Sequence, residues 1–476
     1  MTQSKLPKLE ASLGLRDLVL FNLVAVLGIT WVATGAKAGP SSVTLWLFGA
    51  FLFFIPQGLA VVQLASSYPE EGGIYAWTRR ELGEAHGFLC GWCYWINNVL
   101  YYPTLLLGAA VAATFVIGQS ETGHADRWGY VLPFTLVGLL VAMFLNVMGV
   151  RTGRWLQNIG GLSTALPGLL LVLLGLYRLG FGNPVSHISL SQLWPDLTDF
   201  ATLNLWATIA FAFAGLELSS TMATEIKDPI RNLPRSLYIA APLVAVIYII
   251  GTCAMLWLVP RDQINVVAGP LQGIAIGTQG LGNIGAFTVG SIALLLTVAR
   301  IGAVGAWLTG SSRVAFAVGV DRYLPPAFSR LHPRWRTPYI AILVQGVIAT
   351  VFLFISVLGK GTTVETAFLI LIDMSLLIYF IPYLYLFACF VLFCCRARNR
   401  TRLVVIGGKP GAIAIGGCGF AITIFAMVVA MFPPAGTASV LWHEIKLGGG
   451  ALLLVSIGLI VFWRARRKAP NSASRA

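Results

Sequence analysis

Twelve long apolar blocks divide the sequence, at 17–38, 43–67, 87–117, 128–149, 155–179, 200–225, 236–259, 285–318, 338–358, 364–395, 411–432 and 445–463. A helix needs about 20 apolar residues to cross a hydrocarbon core of about 30 Å. The apolar residues are blocked in this way rather than scattered along the chain. Helices also bond their own backbone polar groups, as lipid demands. The interruptions leave no room for a soluble domain; the longest, 180–199 and 260–284, hold Gly, Pro, Asp and Asn. Charged residues make up only 11% of the chain, too few to cover a water-facing surface. The expectation is an all-α membrane protein with twelve transmembrane helices lying in a lipid bilayer.

The charges sort by side. With the N-terminus inside, inner loops and tails collect 25 of the 32 Lys and Arg residues, Arg313 among them, and outer loops collect 5. Lys37 and Arg300 fall within helices. This is the positive-inside pattern, and one missed helix would scramble it. Both termini are therefore expected in the cytoplasm, and the membrane is expected to be the plasma (inner) membrane. The net charge of +14 reads as inner-surface charge, with no nucleic-acid partner, and Arg464–Lys468 as an anchor to anionic lipid.

Several classes drop out. The first block is too long for a removable signal segment and lacks a small-residue cleavage site, so it is expected to be retained. Cys90 and Cys93 have a redox or zinc spacing, but no second pair or histidine cluster accompanies them, so no metal or cofactor is expected. No loop shows a catalytic constellation and the five histidines are dispersed, so the chain is not read as an enzyme. A transporter instead breaks helices near the midplane, at corresponding places in two repeats. Block one is interrupted by Gly28-Ile29-Thr30 and by Thr34-Gly35. Block six is interrupted by Phe211-Ala212-Phe213-Ala214-Gly215-Leu216-Glu217 and by Ser219-Ser220-Thr221. The two lie five helices apart, as an inverted 5+5 repeat requires. The expected units are a tail at 1–16, repeats at 17–179 and 200–395, two extra helices at 411–463 and a basic tail at 464–476. A break offers N–H groups to a carboxylate and carbonyls to an ammonium. The glycines alone fit close helix packing equally well.

Three longer patterns carry a resemblance. The first runs from Pro56-Gln57-Gly58-Leu59 through Tyr68-Pro69-Glu70-Glu71-Gly72-Gly73-Ile74-Tyr75-Ala76-Trp77 to Gly83, Gly87-Phe88 and Gly91-Trp92. The second is Phe213-Ala214-Gly215-Leu216-Glu217 with Glu225-Ile226-Lys227-Asp228-Pro229 and Asn232-Leu233-Pro234-Arg235. The third is Ser312-Arg313 with Asp321-Arg322-Tyr323-Leu324-Pro325 and Pro338. From about residue 17 to 395 the chain resembles the amino acid–polyamine–organocation permeases, most nearly the glutamate/γ-aminobutyrate antiporter branch. The resemblance implies an inverted-repeat fold, alternating access and a site between helices one, three, six, eight and ten. It implies an aromatic gate at Phe211, a substrate contact from Asn98 and an outer gating tryptophan at Trp307; the helix breaks add Gly28, Ile29, Thr30, Ala214 and Gly215 as substrate-binding candidates, although Gly28-Ile29-Thr30 departs from the family's two-glycine pattern. Helix ten carries Pro382-Tyr383-Leu384-Tyr385. The lysine of some proton-coupled members has no counterpart; Ser163 and Thr164 stand near its place.

Three ionisable residues lie deep in blocks: Glu217, Arg300 and Asp373. Each costs about 2.5–3.5 kcal/mol at mid-bilayer and persists when a cavity or partner offsets it. Arg300 is read as engaging a carboxylate or replacing a coupling cation, and Glu217 or Asp373 as counter-ion or proton acceptor. An Arg300–Asp373 pair that merely ties helices together is the competing reading. Lys37 is read as snorkelling to the headgroups, and Glu70 and Glu71 as a gate or as solvated loop charges. The function expected is secondary transport of amino acids or related amines, by exchange or proton coupling. A polyamine or organic-cation transporter, or a non-transporting nutrient sensor, is the alternative. Oligomeric state is not legible.

Overall fold

A computed structural model describes residues 11–468 except 117, 119–127, 187, 197, 199, 358–362, 397–404, 406 and 432–447. The helices are α1 Leu15–Val26, α2 Thr30–Ala38, α3 Ser41–Gly49, α4 Ile55–Ser67, α5 Ile74–Leu82, α6 Glu84–Val116, α7 Trp128–Val147 and α8 Val150–Phe181. They continue with α9 Phe200–Ala212, α10 Pro229–Leu258, α11 Gly269–Gly277, α12 Asn283–Val320, α13 Tyr339–Val357, α14 Val364–Arg396, α15 Gly408–Ala430 and α16 Gly450–Lys468. A π-helical turn, Ala50–Phe54, joins α3 to α4.

Among the described residues ten helices are long and apolar enough to cross a membrane, counting α1–α2 as one span and α3–α4 as another. The blocks at 200–225 and 445–463 do not qualify, for different reasons. In the first, α9 stops after 13 residues and a short 3-10 helix, Leu218–Glu225, follows. In the second, α16 carries Arg464, Arg466, Arg467 and Lys468 within its own length.

The interior is built from the interrupted span and α6. In each, 78% of the most apolar stretch is buried within the protein, against 33% in α13 and α15. The outer helices turn large apolar side chains outward, among them Leu173 on α8, Val347 on α13 and Val428 on α15. Such faces are at home only in hydrocarbon.

Both interruptions have local causes. Between α1 and α2 the backbone leaves the helix at Leu27 and resumes at Thr30. After α9, Gly215 takes φ +123°, a conformation costly for any residue with a Cβ. At the far end of α2, Gly39 (φ +106°) stops the helix and Pro40 opens α3.

Two charge assignments change. Arg313, counted among the inner-loop charges, lies on α12 with only 1% of its surface exposed. Glu225 on the 3-10 segment holds it, Nε to Oε1 at 2.7 Å and Nη2 to Oε2 at 3.3 Å. The segment's tight turn aims that carboxylate at α12, which chain order does not reveal. Nor is Glu71 a solvated loop charge. Thr224 donates to its Oε2 at 2.5 Å, and its Oε1 is enclosed with no hydrogen-bond partner among the described residues. The loop between α4 and α5 is docked there, with Gly72 N–H bonded to Thr221 O at 2.9 Å.

Candidate functional site

The two helix breaks face each other and are tied by tyrosines. Tyr248 on α10 accepts from Gly28 N–H at 2.9 Å and donates to Val26 O at 2.6 Å, with Ala212 O 3.3 Å away. One hydroxyl thus bridges the end of α1 and the end of α9. Tyr383 on α14 accepts from Gly215 N–H at 2.7 Å and donates to Glu217 Oε2 at 2.6 Å. These bonds replace intrahelical ones that the breaks forfeit.

Between the breaks sits an aromatic box. Phe211 meets Trp31, Tyr101 and Tyr379 with ring centroids 5.8, 5.9 and 5.6 Å away. Trp307 meets Tyr101 at 5.7 Å and Tyr379 at 6.0 Å, all largely edge-to-face. Its indole N–H donates to Ala25 O at 3.1 Å, which pins α12 to the end of α1. The box encloses a cavity of about 10 Å³, no more than one water, so it is shut. A second cavity of about 40 Å³ shares Ala25, Trp31 and Tyr101 as walls and is lined by Gly28, Ile29, Thr30 and Arg300.

Glu217 stands behind Tyr379, fully buried. Its Oε1 accepts from Tyr94 at 3.0 Å and Tyr379 at 2.9 Å; its Oε2 accepts from Tyr383 and, at 3.1 Å, from Gln57 Nε2. Four neutral donors fill the four acceptor positions of a carboxylate. Each bond to a charged group is worth about 1.5–3 kcal/mol, together enough to offset a burial cost of several kcal/mol without a cation. No salt bridge to Glu217 occurs among the described residues.

A model of the amino acid permease family matches residues 17–447. The chain belongs to that family. An uncharacterized transporter of Legionella pneumophila is 31% identical over 450 residues, 94% of this chain and 95% of its own. A glutamate/gamma-aminobutyrate antiporter of Lactococcus lactis is 26% identical over 419 residues, 86% of this chain and 81% of its own. The crystal structure of MhsT in complex with L-phenylalanine matches with a TM-score of 0.61 over 96% of this chain and 99% of that one. At 16% identity that likeness is one of fold. The permease is thus an integral, multi-pass membrane transporter acting on small molecules such as amino acids, and not an enzyme.

The residues singled out in the permease's sequence separate in space. Gly28, Ile29, Thr30 and Arg300 line the larger cavity; Phe211, Ala214 and Trp307 line the smaller. Gly215 packs against Trp307, whose ring lies 3.1 Å from where a Cβ would stand. Asn98 lines neither cavity; its amide donates to Tyr94 O at 2.7 Å, one turn back on α6. Its neighbour Asn97 faces the box instead. Asp373 lies on α14, and its side chain is outside the described residues. Glu217 and Arg300 are not paired with each other. Tyr94, Tyr248, Tyr379, Gln57, Trp31 and Tyr101 escaped the sequence reading. One signal was available: Tyr379 and Tyr383 are four apart and so share a helix face.

Proposed function

We propose that the permease is a secondary active transporter that moves an amino acid across the plasma membrane by alternating access. In this reading both termini are cytoplasmic and the substrate sits where the two breaks meet. The reading is carried by one observation: both breaks open onto one aromatic box, with tyrosines holding the freed backbone groups. The start of α2 presents unpaired N–H groups to the substrate carboxylate, and the carbonyls at the end of α1 receive its ammonium. Phe211 and Trp307 act as gates on either side of the box. Glu217 senses occupancy through Tyr379 and passes it to the helices that hold its other donors, Tyr94, Tyr383 and Gln57.

A second reading, transport of polyamines or other organic cations, is favoured by the buried carboxylate of Glu217 with no described cation beside it. Uptake of labelled amino acids and polyamines into proteoliposomes separates the two. Each would be run with a pH gradient and with internal unlabelled substrate. The first reading expects saturable amino acid uptake, stimulated by one of these. Glu217→Gln is expected to retain the fold and lose that stimulation at least tenfold. Uptake of polyamines alone would replace the first reading with the second.

A further inference from the structure

Arg300 is the charged residue lining the larger cavity. Of its five N–H donors, the described bonds use one, Nη2 to Val267 O at 3.3 Å. Nη1 is enclosed, with no partner among the described residues. The space it occupies exists because α6 carries glycine at 108: a Cβ there would lie 2.2 Å from Nη1 and 2.7 Å from Cζ. The chain therefore makes room for a guanidinium, and the described residues leave it short of acceptors. A desolvated cation in that condition costs several kcal/mol unless an anion completes it. Removing the charge would be simpler if it served packing alone.

The same cavity is walled by Gly28, Ile29 and Thr30, where α2 starts. A carboxylate at that start and the guanidinium face one space, whose remaining lining is mainly apolar, from Leu105, Leu296, Ala299 and Phe368. We propose that the substrate is an acidic amino acid, its α-carboxylate at the start of α2 and its side-chain carboxylate on Arg300. Bidentate pairing satisfies a guanidinium and a carboxylate together, while a second ammonium in this place is repelled. The inference rests on the proposed transport function and names the substrate class of that site.

The test is exchange in proteoliposomes with labelled glutamate, aspartate, glutamine and serine, for wild type, Arg300→Gln, Arg300→Lys and Gly108→Ala. Glutamine matches glutamate in shape and lacks only the charge. Wild type is expected to prefer glutamate or aspartate over glutamine by at least tenfold. Arg300→Gln is expected to erase that preference, with glutamate and aspartate transport falling far more than glutamine and serine transport, and Arg300→Lys to restore part of it. Gly108→Ala keeps the charge but displaces the guanidinium, and is expected to weaken the preference as well. Glutamate-dependent thermal stabilisation of purified protein gives the same comparison without turnover. A wild type that exchanges neutral amino acids and ignores acidic ones overturns the substrate class and leaves the transport function standing. Equal losses for all four substrates in Arg300→Gln overturn it too, by assigning Arg300 to the α-carboxylate. A wild type that moves no amino acid removes both.

Discussion

Arg300 and Arg313 stand on one helix, about 20 Å apart along its axis, and their surroundings are opposite. Arg313 has a partner at every nitrogen: Glu225 takes two of them, and Nη1 donates to Thr309 O and Ser312 Oγ, both at 3.0 Å. Arg300 has one long bond to a carbonyl and an enclosed nitrogen that meets no partner among the described residues. A buried arginine partnered in this way ties elements of the protein together. In this case it ties α12 to the 3-10 segment, whose Glu225 O also accepts from Ser12 and Leu13 N–H at 2.8 and 3.0 Å. An arginine beside a cavity that is left unsaturated by the described residues can take an anion from outside. Residue type and helix are the same for both; the supply of acceptors differs.

The comparison can be broken at either end. The largest effect is expected from Arg313→Gln, which leaves Glu225 charged and unpaired in the interior. Such a break costs about 3–5 kcal/mol, and size-exclusion profiles of detergent-solubilised protein should show most of it aggregated or lost. Adding Glu225→Gln removes the stranded charge and should recover a large part of the folded peak. Arg300→Gln is expected to do the reverse in the absence of substrate. With an unpaired charge removed, the thermal midpoint should stay level or rise, and a fall like that of Arg313→Gln would mean that Arg300 is structural too.

The smallest effect sharpens the picture around Arg313. Glu71 is pushed up from 4.5 to about 8, first by burial and then by the negative charge of Glu225. Between those values the docked loop holds a proton that an opened chain releases. Stability of the docked arrangement is therefore greatest at low pH, falls across that window and is level above it. Thermal midpoints measured from about pH 5 to about pH 9 should follow this slope, and Glu71→Gln should flatten it.

The membrane class, the long helices and the two breaks were legible because they depend on local composition. A run of apolar residues spans lipid whatever its neighbours are, and Gly28 and Gly215 interrupt their own helices. Phe211 and Trp307 were legible through their place in family motifs. Asn98 is placed differently from its neighbour: one residue turns a side chain about 100° around a helix, so Asn97 lines the smaller cavity while Asn98 bonds its own backbone.

What the sequence by itself determined, then, is that this chain crosses a membrane many times, that it breaks its helices at two places, and that it buries ionisable groups at a cost. Only the tertiary structure decided which of those groups are satisfied. Glu217 is held by residues 57, 94, 379 and 383, from three different helices, and Arg313 by a residue 88 positions away. The donors and acceptors that settle a buried charge come from wherever the packing brings them. A one-dimensional reading sees the charge and its cost; the partners become visible when the helices are assembled.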